Sequence, residues 1–223
     1  MISFEGRNHI LKQPDLIARK AHSVYPHFST TKIQCTCHND YSKVNIVDKA
    51  IKNLVITLNS MRNERICATS ELPLIIEGLK KQKVGNCHEE ARLAEVIGRI
   101  NGQKNIYSGR IFFGSPDSKE KPLDHVIAFI TTKKVEPKSM LSLKNKEGII
   151  IDPWLGIADF AGTYFGKLKT IFKPMFERLP NKTSEIGFRI EPNFDEFFGE
   201  GSTDKLKQKF PELIIKKTTP LHK

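Results

Sequence analysis

The sequence predicts a domain of the α+β class, with helices in the first part of the chain and a sheet after them. Up to Ile100, apolar residues recur at the three- and four-residue spacing of amphipathic helices. After Ile106 the chain changes to short segments rich in β-branched and aromatic residues, separated by turn residues. Helices followed by strands favour an α+β fold over alternating βαβ units. The 223 residues, of which 39% are hydrophobic, suffice for one folded core.

Three regions are predicted along the chain. Residues 1–43 are polar with weak periodicity, so we expect a loop-rich N-terminal extension with one short helix near Asp15–Ala21. Residues 44–200 form the main domain, and residues 201–223 form a basic C-terminal tail. The main domain opens with an amphipathic helix whose apolar face comprises Ile46, Val47, Ala50, Ile51, Leu54, Val55, Leu58 and Met61.

Two more helices are predicted before the sheet. Ser70-Glu-Leu-Pro73 is typical of a helix start, with a serine cap followed by an early proline. The next helix begins near Cys87, and its first turn carries two glutamates, which suit the positive end of the helix dipole. Asn101-Gly102 ends this helix.

The second half of the chain predicts the sheet. Strands are expected at Ile106–Gly114, Val126–Thr132, Gly148–Asp152 and Gly187–Glu191. Residues 133–147 are polar and rich in lysine, which indicates an exposed loop. Residues 155–179 have helical spacing as far as Pro174, and a short helix is expected near Thr203–Phe210.

Composition excludes several classes of protein. No apolar run reaches the length of about 18–20 residues that a membrane span needs. The first twenty residues lack the apolar segment of a secretory signal, and four cysteines are too few for a disulfide scaffold, so we expect a cytoplasmic protein with reduced thiols. Neither a phosphate-binding nor a dinucleotide-binding glycine motif occurs, and no cofactor is predicted.

The net charge of +11 is interpreted as a solvated, lysine-rich surface. An acidic partner protein is the alternative, because such a charge speeds encounters with acidic molecules. Nucleic-acid binding is not predicted, since the lysines are dispersed and no helix-turn-helix or RNA-binding motif occurs. No metal site is predicted either: Cys35-Thr-Cys37-His38 lacks the second pair of ligands that a structural zinc requires, and Cys67 reads as an incidental thiol.

Three short segments together predict an active site. A cysteine attacks as its thiolate. An ordinary thiol has a pKa near 8.5, so only a small fraction is thiolate at neutral pH. A helix N-terminus or a nearby imidazolium lowers that pKa and increases the fraction. Cys87 lies where a Gly-Asn turn leads into a helix, and His125 begins an apolar strand. Asp152 ends the next strand, so if the two strands pair antiparallel, its carboxylate can reach one nitrogen of the imidazole ring.

Each of these residues also has a purely structural interpretation. A single cysteine before a helix is often a small buried apolar residue, a histidine at a strand start is often structural, and Asp-Pro is a common turn device. The three occur here in one order, each in the setting that nucleophilic catalysis requires. Together they predict a catalytic triad of Cys87, His125 and Asp152.

The same residues resemble a known family. The resemblance rests on three motifs in order: Gly85-Asn-Cys87-His-Glu-Glu-Ala, Asp124-His125-Val and Ile151-Asp152-Pro-Trp154. Through these motifs, the chain resembles the papain-like fold superfamily over about residues 83–156. Within it, the likeness is to the transglutaminase-like branch and to small cysteine proteases or deamidases that bacteria deliver into host cells as effectors. The resemblance implies Cys87 as nucleophile, His125 as general base and acid, and Asp152 as orienting carboxylate. It also implies a papain-like core, with the cysteine helix packed on an antiparallel sheet. Arylamine N-acetyltransferases share the Cys-His-Asp order, but this chain lacks their Arg-Gly-Gly segment before the cysteine.

Two further residues are candidates for the site. Papain-type enzymes place an oxyanion-binding glutamine several residues before the cysteine, and Gln82 lies near that position without matching it. A surface glutamine among lysines is the alternative for Gln82. Trp154, the only tryptophan, is either a wall that shields the His–Asp pair or ordinary core.

The predicted function is a cysteine-dependent hydrolase that acts on an amide bond of a protein substrate, as a protease or a glutamine deamidase. A transglutaminase or acyltransferase would use the same triad. A third possibility is a catalytically silent module that binds an acidic partner through its lysines.

Overall fold

In the computed structural model, the part of the chain that can be described comprises residues 4–25, 56, 60, 71–83, 85–113, 125–136, 138–171, 185–190 and 202–216. The helices are α1 (Phe4–Ser23), α2 (Glu71–Gln82), α3 (Cys87–Ile100), α4 (Ala161–Ile171) and α5 (Ser202–Lys209), with a 3-10 turn at Pro211–Leu213. The strands are β1 (Ile106–Phe113), β2 (Val126–Thr131), β3 (Met140–Lys144), β4 (Gly148–Asp152), β5 (Ile157–Phe160) and β6 (Glu185–Ile190).

These strands pair into one open antiparallel sheet, in the order β3-β6-β1-β2-β4-β5. Because successive side chains of a strand point to opposite faces, the sheet separates two cores. One core holds α1, α2, α3 and α5, and α3 lies directly on β1 and β2. The other core holds α4, which contributes Ala161, Tyr164, Phe165 and Leu168. The α+β prediction is therefore confirmed.

The N-terminal region differs from the sequence prediction. The short helix expected near Asp15–Ala21 is part of α1, which is 20 residues long and continues through Pro14. Ile17, Ala18 and Ala21 are buried in the same core as α3. Packing of this apolar face compensates for the weak helical pattern and for the proline. The Asp15 carboxylate also accepts a hydrogen bond from the Ala158 N–H on the edge strand β5, at 3.0 Å.

The C-terminal tail also folds onto the domain. Residues 202–216 form α5 and the 3-10 turn, and Leu206, Phe210 and Leu213 are buried beside α3. The expected helix near Thr203–Phe210 is therefore present, but it belongs to the core. The domain boundaries after residues 43 and 200 stay predictions, as does the helix over 46–61, of which only Ile56 and Ser60 are described, both helical.

Two strands occupy segments for which the sequence predicted other structure. The expected loop at residues 133–147 contains β3, an edge strand that pairs with β6 and buries only Leu143 fully. Two of its five side chains are exposed and two are half-buried, and the lysines around the strand make the segment polar, which favours a loop from the sequence alone. Ile157–Phe160, expected to be helical, forms β5 by pairing with β4, and the helix begins only at Ala161. Among the described helices, none is long and apolar enough to cross a membrane.

Candidate active site

Cys87 is the first residue of α3. Asn86 caps the helix, and its backbone N–H donates to the Glu89 side chain, with 3.0 Å between the nitrogen and Oε2. This capping interaction fixes the point at which the helix begins. Cys87 is a free thiol, partly exposed, at the positive end of the helix dipole.

The pairing of β2 with β4 brings His125 and Asp152 together. Ala128 pairs with Ile151, so the end of β4 lies beside the start of β2, where His125 directly precedes the strand. The His125 carbonyl oxygen accepts a hydrogen bond from the Ile111 N–H at 3.0 Å, which fixes the backbone at this point. The ring nitrogen Nε2 of His125 lies 2.9 Å from Oδ2 of Asp152.

The Cys87 side chain lies close enough to the His125 imidazole to raise the pKa of that ring, through hydrogen bonding and through its charge. Because Nε2 is engaged by Asp152, the nitrogen that remains for the sulfur is Nδ1. The structure thus brings the three residues singled out from the sequence into one cluster, with His125 interacting with both Cys87 and Asp152. The sulfur is at its partly exposed end and the carboxylate at its fully buried end.

The environment of His125 favours its protonated form. Burial is the largest influence and by itself would lower the pKa of the imidazole, because it disfavours the charged ring. The charge of Asp152, the hydrogen bond to Asp152, and the hydrogen bond and charge of Cys87 act in the opposite direction and outweigh it. The net result raises the pKa of His125 from 6.5 to about 10. His125 is therefore an imidazolium at neutral pH, with Nε2–H donating to Asp152.

Asp152 is completely buried and accepts hydrogen bonds on both oxygens. Oδ2 receives Nε2–H of His125 and also the hydroxyl of Tyr164, at 2.6 Å. Oδ1 receives the Leu155 N–H at 3.3 Å, within the turn that Pro153 begins. A buried carboxylate requires such partners, since an uncompensated charge in the interior is strongly unfavourable.

Tyr164 is the residue of this site that the sequence did not reveal. Its spacing with Phe160 and Leu168 indicated only a helix face, and nothing in the pattern distinguished its hydroxyl from that of a core tyrosine. Ile150 and Asp152 lie on the same face of β4, and Ile150 belongs to the core around α4. Only the placement of α4 on that face could have identified Tyr164 as a partner of Asp152.

The two additional candidates have different outcomes. The indole of Trp154 is buried and meets the His125 ring edge to face, with 5.4 Å between the ring centroids. It lies where the wall of the site was expected, and its shielding role stays a prediction. Gln82 is the last residue of α2, but its side chain falls outside the described part of the structure, so its role as an oxyanion donor also stays a prediction.

A buried polar network joins α3 to the sheet behind the site. Nη1 of Arg92 lies 2.6 Å from Oε2 of Glu95 and donates to the Ser108 hydroxyl on β1 at 3.0 Å. The Ser108 hydroxyl in turn donates to Glu95 at 2.8 Å. Such mutually bonded groups restrict how α3 can shift along the sheet. The position of Cys87 relative to His125 depends on that restriction.

Across the described ranges, no three His, Cys, Asp or Glu side chains are arranged to hold a metal ion. Cys35, Cys37, His38 and Cys67 lie outside those ranges. Comparison of the chain with protein-family models, with curated proteins and with solved structures finds no match.

Proposed function

We propose that this protein is a cysteine-dependent hydrolase that cleaves an amide bond of a protein substrate through a thioester intermediate. The observation that carries the proposal is that His125 is hydrogen-bonded to Asp152 and interacts with the side chain of Cys87, which lies at the start of α3. A thiol next to an imidazolium at a helix N-terminus is the arrangement that generates a reactive thiolate. Protease and glutamine deamidase activities share the chemistry that follows.

In the first half-reaction, the thiolate of Cys87 attacks the carbonyl carbon of a carboxamide. The carbon–sulfur bond forms, and the carbonyl electron pair moves to oxygen. When the tetrahedral species collapses, the carbon–nitrogen bond breaks and the imidazolium of His125 gives its proton to the departing nitrogen. The products are a thioester on Cys87 and an amine, or ammonia when the substrate is a glutamine side chain.

In the second half-reaction, the neutral imidazole of His125 takes a proton from water as the water oxygen attacks the thioester carbon. The carbon–sulfur bond breaks, and a carboxylic acid leaves. The thiolate and the imidazolium are thereby restored. Asp152 holds the ring in the orientation that both proton transfers require.

The developing oxyanion needs hydrogen-bond donors. The first N–H groups of a helix have no partner within the helix, so the Cys87 N–H is suitable for this task. Gln82 is the proposed second donor. The indole of Trp154 beside His125 would exclude water from the His–Asp pair.

The proposed fold relationship is a papain-like core of the transglutaminase-like type. It is supported by α3 lying on an antiparallel sheet, with the nucleophile at the helix start and the histidine at the start of β2. We further propose that the enzyme acts in a cytoplasm, its own or that of a host cell, and that its lysine-rich surface favours acidic substrate proteins.

The proposal is tested by intact-mass spectrometry of purified acidic proteins and unfolded casein after incubation with the enzyme, with Cys87→Ala as the matched control. A truncation indicates proteolysis, and a gain of about 1 Da indicates deamidation. With a primary amine present, a stable amine adduct would instead indicate transamidation. Product formation that persists in Cys87→Ala would refute the proposal, whereas an unreactive Cys87 with no product at all would favour the binding module.

A further inference from the structure

We propose that Tyr164 is a positioning residue of this site, which acts by holding the Asp152 carboxylate in the orientation that aligns His125 with Cys87. The inference rests on the proposed function, because positioning of His125 matters for the reaction only if His125 and Cys87 carry it out. Its evidence is independent of any substrate, because it consists of the contacts of buried side chains.

The first argument is the geometry around one oxygen atom. Oδ2 of Asp152 receives both the Tyr164 hydroxyl, at 2.6 Å, and Nε2–H of His125, at 2.9 Å. The shorter of these two hydrogen bonds is the one to the tyrosine. The remaining tether, from the Leu155 N–H to Oδ1, is longer at 3.3 Å. Without the phenol, the partners of the carboxylate within the described part of the chain would be this weaker tether and the ring that it is meant to orient.

The second argument is that the phenol is a permanent donor. Burial, the charge of Asp152, the hydrogen bond to it and the charge of Cys87 all raise the pKa of Tyr164 well above its ordinary value. The hydroxyl therefore keeps its proton at every working pH and always donates to the carboxylate. The ring itself is fully buried and contacts the Phe165 ring, with 5.7 Å between the ring centroids, so close packing restricts the position from which the hydroxyl donates.

The third argument is that the contact crosses between structural elements. Asp152 ends β4, His125 precedes β2, and Tyr164 lies on α4. The strand ends fix the backbone of Asp152 but not the orientation of its carboxylate, because the side chain has two torsion angles, χ1 and χ2. A donor supplied by a helix packed on the sheet fixes that rotation. Position 164 therefore requires the hydroxyl of a tyrosine, and another aromatic residue would not suffice.

The test compares the wild-type chain with Tyr164→Phe, using NMR to follow the Nε2 proton of His125. If Tyr164 positions Asp152, the hydrogen bond to His125 weakens in the variant and this proton resonance moves upfield. The matched control is Tyr25→Phe, because Tyr25 is also a buried tyrosine that donates to a carboxylate, that of Glu212 at 2.7 Å. That variant should leave the resonance in place. An unchanged or downfield resonance in Tyr164→Phe would overturn the inference.

The functional readout is the rate at which iodoacetamide alkylates Cys87 as a function of pH. In Tyr164→Phe we expect alkylation at pH 6 to slow by about 10-fold, as loss of a hydrogen bond to a charged group predicts. The pH at which the alkylation rate changes as His125 loses its proton should be lower in this variant, because the charge of Asp152 and the hydrogen bond to it contribute to the raised pKa of His125. If Tyr164 only stabilised the fold, Tyr164→Phe would lower the free energy of unfolding and leave this pH unchanged. An unchanged pH would therefore contradict the proposal.

A double-mutant cycle separates this inference from the proposed function. If Tyr164 acts through Asp152, Tyr164→Phe should cause no further slowing of alkylation in an Asp152→Ala background. Additive slowing would show that the tyrosine acts by another route. These readouts need no turnover, so a chain that proves unable to hydrolyse any amide would refute the proposed function and still leave the positioning role to be decided.

Discussion

Replacing Asp152 by asparagine should sharply lower the pKa of His125. The asparagine keeps nearly the same shape and can still accept a hydrogen bond, but it carries no charge. Burial of the ring, which lowers the pKa, is then opposed only by Cys87. We therefore expect the pKa of His125 to fall from about 10 to 6.5 or lower.

The size of this change can be worked out from the site. A fall from about 10 to 6.5 corresponds to a loss of about 5 kcal/mol in the stabilisation of the imidazolium. At pH 7.5, a group with a pKa of 6.5 is protonated in only about one tenth of molecules. The variant would then lack most of its general acid and of the positive charge beside the sulfur.

The assay is an NMR titration of the histidine rings, with His125 assigned from a His125→Gln variant. The matched control is Asp159→Asn, which neutralises another buried carboxylate one strand away, where it accepts the Phe160 N–H at 2.8 Å. His125 should titrate near 10 in the control and near or below 6.5 in Asp152→Asn. If His125 still titrates near 10 in Asp152→Asn, Asp152 is not the source of the raised pKa and the reasoning is wrong.

Three further predictions concern activity and stability. Cys87→Ala should abolish turnover. Its free energy of unfolding, measured by urea titration, should change by no more than about 1–2 kcal/mol. Retained turnover would exclude Cys87 as the nucleophile. Because the folded-state pKa of His125 lies above 6.5, its protonation stabilises the fold below about pH 6.5, and this contribution is lost as the pH rises towards 10. Wild type should therefore lose more stability than His125→Gln between pH 6.5 and 10, and parallel curves would contradict this. Glu95→Gln should cost about 3–5 kcal/mol, because it removes the negative charge from a buried ion pair with Arg92. Glu136→Gln, which removes an exposed pair with Lys134, is the control and should leave the free energy of unfolding nearly unchanged. Equal losses of stability in both variants would show that the buried network contributes no more than a surface pair.

The sequence predicted the strand and helix ends that carry Cys87, His125 and Asp152 better than it predicted the edges of the fold. Cys87, His125 and Asp152 could be selected because each lies at the end of a strongly patterned element. The hydrophobic patterns that define α3, β2 and β4 also define where those elements end. Antiparallel pairing of β2 with β4 was then enough to bring two of the three together.

The missed features depend on contacts between distant segments. The N-terminal helix is longer than its local pattern suggests because Ile17 and Ala21 pack beside α3. β5 is a strand because β4 offers it hydrogen bonds, although its residues have helical spacing. Tyr164 is identified as a partner of Asp152 only once α4 is placed on the sheet. No local pattern contains that information.

The reactivity of the Cys87 sulfur tests the central claim most directly. The chain is treated with iodoacetamide at about pH 6, where an ordinary thiol is almost entirely protonated, and the labelled sites are quantified by mass spectrometry. We predict that Cys87 is labelled much faster than Cys35, Cys37 and Cys67, and that His125→Ala removes this preference. Slow and equal labelling of all four cysteines in the wild-type chain would contradict the account.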